Sequence, residues 1–473
     1  MQQPYTSTEK KLLDGLAMLL IVTAPVWACC LFFPDGYSYA VGLAVVPVLV
    51  LVNAFLIARV SKKDALLAKL LPIAFLAKLA AASIYLFLIE HVMEGGDALA
   101  YHQVGSQIAS DFLATRDWAS FTVSRASMGG AGPSLFVCDL TGLLYLVTGS
   151  SISSGIVVFS TVAFWGQYLA YRTFTLAFPS GERSRAALLL LLYPSIVFWT
   201  ATIGKDAIIG FLICLAAYGF ARLVRAPGIR AYLYLAIGLL GAYFVRPHIA
   251  AILALAFTGA YVFGRNLRGI FGLAVKIVTI PLLAFGSVVL FRGAQQFLNA
   301  ESFSQMLVEA DTVTRNTNIG HSAIGTVGGS LFGRMATAPL VLFRPFPWEI
   351  NNFQAAVACA ETLFFLGLLW AFRGQLKVAA RRWRTDPFLL FIFLCVIEFT
   401  VIVGATFFNI GLIARQRVMM FPFVLMLLCL SPRLASPEAL QRNRPAGPRY
   451  RFASSTPAWN SVTRRYAADV QQR

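Results

Sequence analysis

Apolar residues occur along this chain in long blocks, not in the alternation of half-buried strands or the single stripe of a surface helix. A helix needs about 20 apolar residues to cross the hydrocarbon core of a bilayer. The blocks predict spans at 12–33, 38–60, 70–92, 152–172, 186–203, 207–223, 231–246, 249–264, 270–292, 353–373, 387–408 and 417–433. The expected fold is all-α, a polytopic transmembrane helical bundle with 12 crossings. The first block follows MQQPYTSTEKK without a small-residue cleavage site, so it reads as a retained helix and not a signal peptide.

Basic residues punctuate the blocks unevenly. With the N-terminus inside, the clusters at 59–63, 172–185, 222–230, 265–268, 373–384 and beyond 433 all fall on one side. That is the expected cytoplasmic bias. The block at 133–148 disturbs the alternation, because a full crossing there would turn 173–185 and its arginines outward. With Asp139 inside it, 133–148 reads as a re-entrant or interfacial element. Two long external loops follow, at about 93–151 and 293–352. Within the first, Phe112, Leu113, Trp118 and Phe121 are spaced to pave one face of an interfacial helix. Residues 1–69 form an N-terminal transmembrane hairpin, 70–433 the main transmembrane domain, and 434–473 a disordered basic cytoplasmic tail.

Composition supports the membrane reading. The 473 residues are 58% hydrophobic and 13% charged, against about 25% charged in soluble domains. The net charge of +18 is assigned to topology, since no nucleic-acid-binding motif interrupts the apolar blocks. Seven cysteines form no CxxC pair, and the histidines show no metal-ligand spacing.

The polar groups predicted at the outer helix ends are few. They are Asp97, Tyr101 and His102 in EGGDALAYH, Lys205 and Asp206 in TIGKDA, and Arg246 and His248 in VRPH. Arg344, Trp348 and Glu349 follow in FRPFPWE, then Arg415 and Arg417 in ARQR. A carboxylate can take a proton from a hydroxyl nucleophile, and fixed cations can hold a phosphate and its developing charge. Each residue also has a structural reading. Asp97 after two glycines fits a helix cap, Lys205–Asp206 fits an ordinary helix start, and the arginines fit interfacial anchors. Lys78, Glu361 and Glu398 lie inside spans, where a transporter would use them.

The order of these motifs, from Asp-Ala-x-x-Tyr-His through Pro-Ser…Lys-Asp and Arg-Pro to a late Arg-x-Arg, resembles bacterial GT-C membrane glycosyltransferases of surface-polysaccharide assembly. The resemblance covers roughly 70–433. It implies a lipid-facing groove under the first external loop at the outer face of the cytoplasmic membrane. It also implies a polyprenyl-phosphate- or diphosphate-linked sugar donor and a glycan or lipid acceptor. In that family's terms Asp97 is the catalytic loop aspartate, the general base on the acceptor hydroxyl. Lys205, Arg246, Arg344, Arg415 and Arg417 are donor-phosphate contacts, while Tyr101, His102, Asp206, His248, Trp348 and Glu349 are substrate contacts. Two departures stand out: Asp97 follows the third predicted span instead of the first, and only Glu94 lies near it where metal-binding members carry an acidic pair. A divalent cation therefore stays open. The rival readings are an O-antigen-type polymerase or ligase centred on 293–352, with Arg315, His321, Arg334 and Arg344, and a lipid or oligosaccharide transporter.

Overall fold

The computed structural model describes residues 36–91, 96–118, 132–264, 277, 340, 342–350, 353–406 and 410–431. Among them every regular element is helical. In chain order these are α1 (Gly36–Ser61), α2 (Ala65–His91), α3 (Asp97–Thr115), α4 (Gly132–Thr148) and α5 (Ile152–Ala177). Next come α6 (Arg183–Leu192), α7 (Pro194–Trp199), α8 (Lys205–Arg225), α9 (Ile229–Val245) and α10 (Pro247–Gly264). After a 3₁₀ turn at Pro347–Glu349 follow α11 (Phe353–Ala371), α12 (Arg373–Arg382), α13 (Pro387–Thr406), α14 (Ile410–Arg417) and α15 (Phe421–Leu428).

Among the described residues four helices are long and apolar enough to cross a membrane: Val41–Ser61, Ala65–Ile89, Ile152–Ala177 and Lys205–Arg225. Two bent pairs, Ala355–Ala371 with Arg373–Arg382 and Gly411–Arg417 with Phe421–Leu428, bring the number to six if each is one broken span. The predicted blocks at 231–246, 249–264 and 387–408 are shorter apolar helices. Seventeen residues, as in α9, extend about 25 Å, somewhat less than the hydrocarbon core. The predicted spans 12–33 and, apart from residue 277, 270–292 lie outside the described residues, as do the tail and most of the 293–352 loop.

Two predicted spans are not continuous helices. The block 186–203 breaks between α6 and α7, because Pro194 holds Tyr193 in extended backbone (φ −61, ψ 124). The block 417–433 contains only the eight-residue α15, and Arg417 belongs to the preceding helix, across a 57° bend. The segment 133–148 is helical as α4 and packs on α3 and α9. The expected interfacial helix at 111–121 is the end of α3. It stops at Thr115, where Arg116 adopts left-handed backbone and donates its N–H to Phe112. Trp118 lies beyond the helix with its ring 4.5 Å from that of Phe112. Phe121 is outside the described residues.

Small residues let the central helices approach closely. A Cβ at Gly238 of α9 would lie 2.6 Å from the Ala216 backbone nitrogen of α8, and one at Gly166 of α5 would lie 2.7 Å from Phe211 Cα. This is the packing route open to helices in lipid, where apolar burial alone supplies little driving force. The α5–α8–α9 contacts fix the ends of α8 and α9, which carry Lys205, Asp206 and Arg246. The basic segments predicted to share a side do meet: Arg59, Lys62, Lys63, Arg172, Arg183 and Arg222 surround one cavity.

Candidate active site

Each polar residue of the site sits at a helix end for a local reason. Gly96 adopts φ 133 and ψ 172, a conformation open to glycine at little cost, and turns the chain so that Asp97 opens α3. A carboxylate there is favoured by the unpaired N–H groups of the first turn. Gly204 precedes α8 without a side-chain cap, placing Lys205 and Asp206 in its first turn. Arg246 precedes Pro247 and takes extended backbone (φ −149, ψ 89), which ends α9 and separates it from α10.

These ends converge. Arg415 NH1 donates to Asp97 Oδ2 at 3.0 Å, and Arg415 Nε donates to Asp206 Oδ2. Arg246 NH2 donates to the other Asp206 oxygen at 2.5 Å. Lys205 lies in the electrostatic field of Arg246, Asp97, Arg415 and Asp206, and His248 in that of Arg246 and Lys205. A Cβ at Gly204 would sit 3.9 Å from both the Arg415 guanidinium and the Tyr101 ring. Asp97, Tyr101, Lys205, Asp206, Arg246, His248 and Arg415 are thus gathered from widely separated parts of the sequence. Lys205, Arg246 and Arg415 face the carboxylates of Asp97 and Asp206, which leaves one positive charge in excess apart from any on His248.

The two carboxylates are not equivalent. Asp206 is 3% exposed and has both oxygens engaged by guanidinium groups. Burial of an ion pair is tolerated only with such full satisfaction. Asp97 is 59% exposed and uses one oxygen, on Arg415. A pair this open to water contributes at most about 1 kcal/mol, so little holds Asp97 in place against a substrate hydroxyl. The arrangement fixes Arg415 from below through Asp206 and leaves Asp97 available above.

Tyr101, one turn along α3, is buried against this cluster. Burial pushes its hydroxyl up to about 12, with the negative charge of Asp97 adding, while a hydrogen bond with Ser134 and the charge of Arg415 oppose. It is a neutral hydrogen-bonding group at physiological pH. Tyr85 of α2 lies in the field of Arg415, Asp206 and Asp97, and the nearby Thr202 hydroxyl is buried without a hydrogen-bond partner. Neither Tyr85 nor Thr202 carries a signal in the sequence, since each is a polar residue set in apolar or loop sequence without a charged neighbour.

The remaining predicted residues lie elsewhere. His102 Nδ1 pairs with the Tyr145 hydroxyl at 2.7 Å, on the α4 side of α3. Arg344 donates through Nε (2.8 Å) and NH2 (2.5 Å) to Glu349 Oε1, while Glu349 Oε2 accepts the Phe346 N–H at 2.8 Å. Trp348 is 78% exposed and stacks on Phe346. Arg417 is fully buried, donating to the Arg344 carbonyl and Thr362 Oγ1 at 2.7 Å each and to Glu361 Oε2 at 3.0 Å. A second ionic cluster therefore lies on the other side of α14, and Arg417 belongs to it.

Of the intramembrane groups, Glu361 pairs with Arg417. Lys78 donates to the carbonyls of Ile196 and Val197 at 3.0 Å and to the Thr200 hydroxyl. It thereby anchors the end of α7, whose following loop leads into Lys205. Beneath Asp206 and Arg415 lies a cavity of about 20 Å³, room for a water molecule and too small for a sugar. Among the described residues no group of three His, Cys, Asp or Glu side chains could hold a metal ion; Glu94 lies outside them. No protein-family model, curated protein or solved structure matches the chain.

Proposed function

We propose that this chain is a membrane glycosyltransferase of the GT-C type. It moves a sugar from a polyprenyl-phosphate- or diphosphate-linked donor to a cell-envelope glycan or lipid acceptor. In this reading it crosses the bacterial cytoplasmic membrane twelve times and its site faces outward. The observation that carries the reading is the water-exposed Asp97 carboxylate beside Arg415, itself set by the buried Asp206–Arg246 pair.

In the reaction, Asp97 takes the proton of the acceptor hydroxyl as that oxygen bonds to the anomeric carbon. The bond from the anomeric carbon to the donor phosphate breaks, and its electron pair leaves on the phosphate oxygen. Lys205, Arg415 and the uncapped first turn of α8 meet that charge. Proton uptake by Asp97 also weakens its claim on Arg415, which frees the guanidinium as phosphate charge develops. The site's one excess positive charge suits an anionic donor.

A second reading has one observation in its favour. The exposed Trp348 beside the Arg344–Glu349 pair offers an aromatic face for sugar, as an O-antigen-type polymerase or ligase centred on the 293–352 loop would need. The deciding experiment incubates purified protein in detergent with radiolabelled polyprenyl-phosphate and polyprenyl-diphosphate sugars. Formation of a new glycosidic bond that survives Arg344→Gln supports the proposal. Transfer that depends on Arg344 but not Asp97 supports the second reading, and movement of lipid without bond formation refutes both.

A further inference from the structure

Among the described residues, a cluster of cations without carboxylate partners lies at the far end of the bundle from Asp97. Arg59, Lys62, Lys63, Arg172, Arg183 and Arg222 line a cavity of about 570 Å³, within the range of small-molecule sites. They come from the end of α1, the α1–α2 turn, the end of α5, the start of α6 and the end of α8. Lys205 and Arg222 stand at opposite ends of α8, separated by about 25 Å of helix.

Six cations that merely kept a loop on one side of a membrane would have no reason to face one another. Here they do, and none of them pairs with a carboxylate among the described residues. The one acidic residue of the cavity, Asp64, is committed elsewhere, since its Oδ1 accepts the N–H groups of Leu66 (3.0 Å) and Leu67 (3.2 Å) as the cap of α2. Two further groups are oriented but unsatisfied. Tyr171 lines the cavity at 1% exposure with a buried hydroxyl that has no partner, and the Nε of Arg222 is likewise buried and unpartnered. Arg172 and Arg222 are steadied by the hydroxyls of Tyr168 and Tyr218. The site is thus partly preorganised, with donors and no acceptor of matching charge.

We infer that this cavity binds a multiply charged phosphate group, separate from the Asp97 site. Guanidinium and ammonium groups with a phenol donor match phosphate oxygens. Basic pockets between membrane helices hold anionic lipid headgroups by the same chemistry. The group is presented either by a lipid headgroup or by a soluble phosphate, and the two are separable.

The test uses the full chain purified in detergent, with thermal unfolding followed as cardiolipin, phosphatidylcholine or inorganic pyrophosphate is added. The wild type is expected to be stabilised by cardiolipin, by pyrophosphate or by both, and not by phosphatidylcholine. Cardiolipin alone identifies a headgroup, and pyrophosphate alone identifies a soluble anion. Lys62→Gln with Lys63→Gln, in the exposed turn, is expected to weaken the response at least tenfold, and adding Arg183→Gln to weaken it further. Arg381→Gln with Arg382→Gln on α12, outside the cavity, should leave it unchanged. The inference is overturned if no phosphate probe stabilises the wild type, if the cavity variants respond as it does, or if the α12 control loses as much. None of these readouts uses sugar transfer, so the outcome is independent of the role given to Asp97.

Discussion

Arg415 and Arg417 stand two residues apart on one short helix and serve different carboxylates: Arg415 binds Asp97 and Asp206, whereas Arg417 binds Glu361. Positions i and i+2 of a helix do not face each other, so α14 divides two ionic clusters. One is partly open to water. The other is sealed, with Arg417 fully buried and its guanidinium also holding the Arg344 carbonyl.

The two arginines should therefore fail differently. Arg417→Met leaves Glu361 unpaired and is expected to lower stability by about 3–5 kcal/mol, the cost of breaking a buried pair. Arg415→Gln leaves Asp206 still paired with Arg246, so the protein should fold while sugar transfer falls at least tenfold. Thermal unfolding and transfer rates on the same preparations check this; equal destabilisation by both would contradict the division.

Asp206 is read as the support for Arg415 and not as a second base. Asp206→Asn sets Arg246 and Arg415 against each other without a counter-charge and should be strongly destabilising. Adding Arg246→Gln should recover part of that loss. A double-mutant cycle measures it: coupling of about 1–3 kcal/mol is expected between residues in direct contact, and simple additivity would show that the pair does not act together.

Lys78 separates a structural role from a transport role. Its ammonium serves three acceptors at the end of α7. Lys78→Met should cost about 1–3 kcal/mol by leaving those acceptors unmatched, with loss of activity following loss of fold. A Lys78 variant that unfolds like the wild type but loses a proton- or ion-dependent transport activity would favour the transporter reading.

Gly96 sets the direction from which Asp97 enters α3. A Cβ there meets nothing within 4 Å, so Gly96→Ala tests backbone strain alone. At φ 133 the alanine is expected to cost about 1–3 kcal/mol and to reduce transfer more than donor binding. An alanine variant with unchanged stability and rate would show that the turn is not required.

The sequence made the α1, α2, α5 and α8 spans legible, because long apolar blocks bounded by basic residues leave few alternatives. It also brought the basic segments at 59–63, 172–183 and 222 to one side, and the cavity they share agrees. The Tyr193–Pro194 break was readable in principle from the proline, but overall hydropathy hid it. At the candidate site, Asp97, Lys205, Arg246 and Arg415 could be named as charges at helix ends. Which of them meet is a three-dimensional property, and an Arg-x-Arg motif does not show that its members point apart. In sequence Asp206 reads as a helix-start residue or a substrate contact beside Lys205; its burial between two guanidinium groups is visible only in three dimensions.

The central claim is that Asp97 acts on the acceptor while Lys205 and Arg415, the latter set by Asp206, hold the donor phosphate. The most direct measurement compares wild type and Asp97→Asn in one detergent preparation, recording the affinity for a polyprenyl-phosphate sugar and the single-turnover transfer rate. Loss of a general base predicts a rate lower by about 10²- to 10⁴-fold, with donor affinity within a few-fold of wild type and unfolding unchanged. Full transfer by the Asp97→Asn protein would contradict the account.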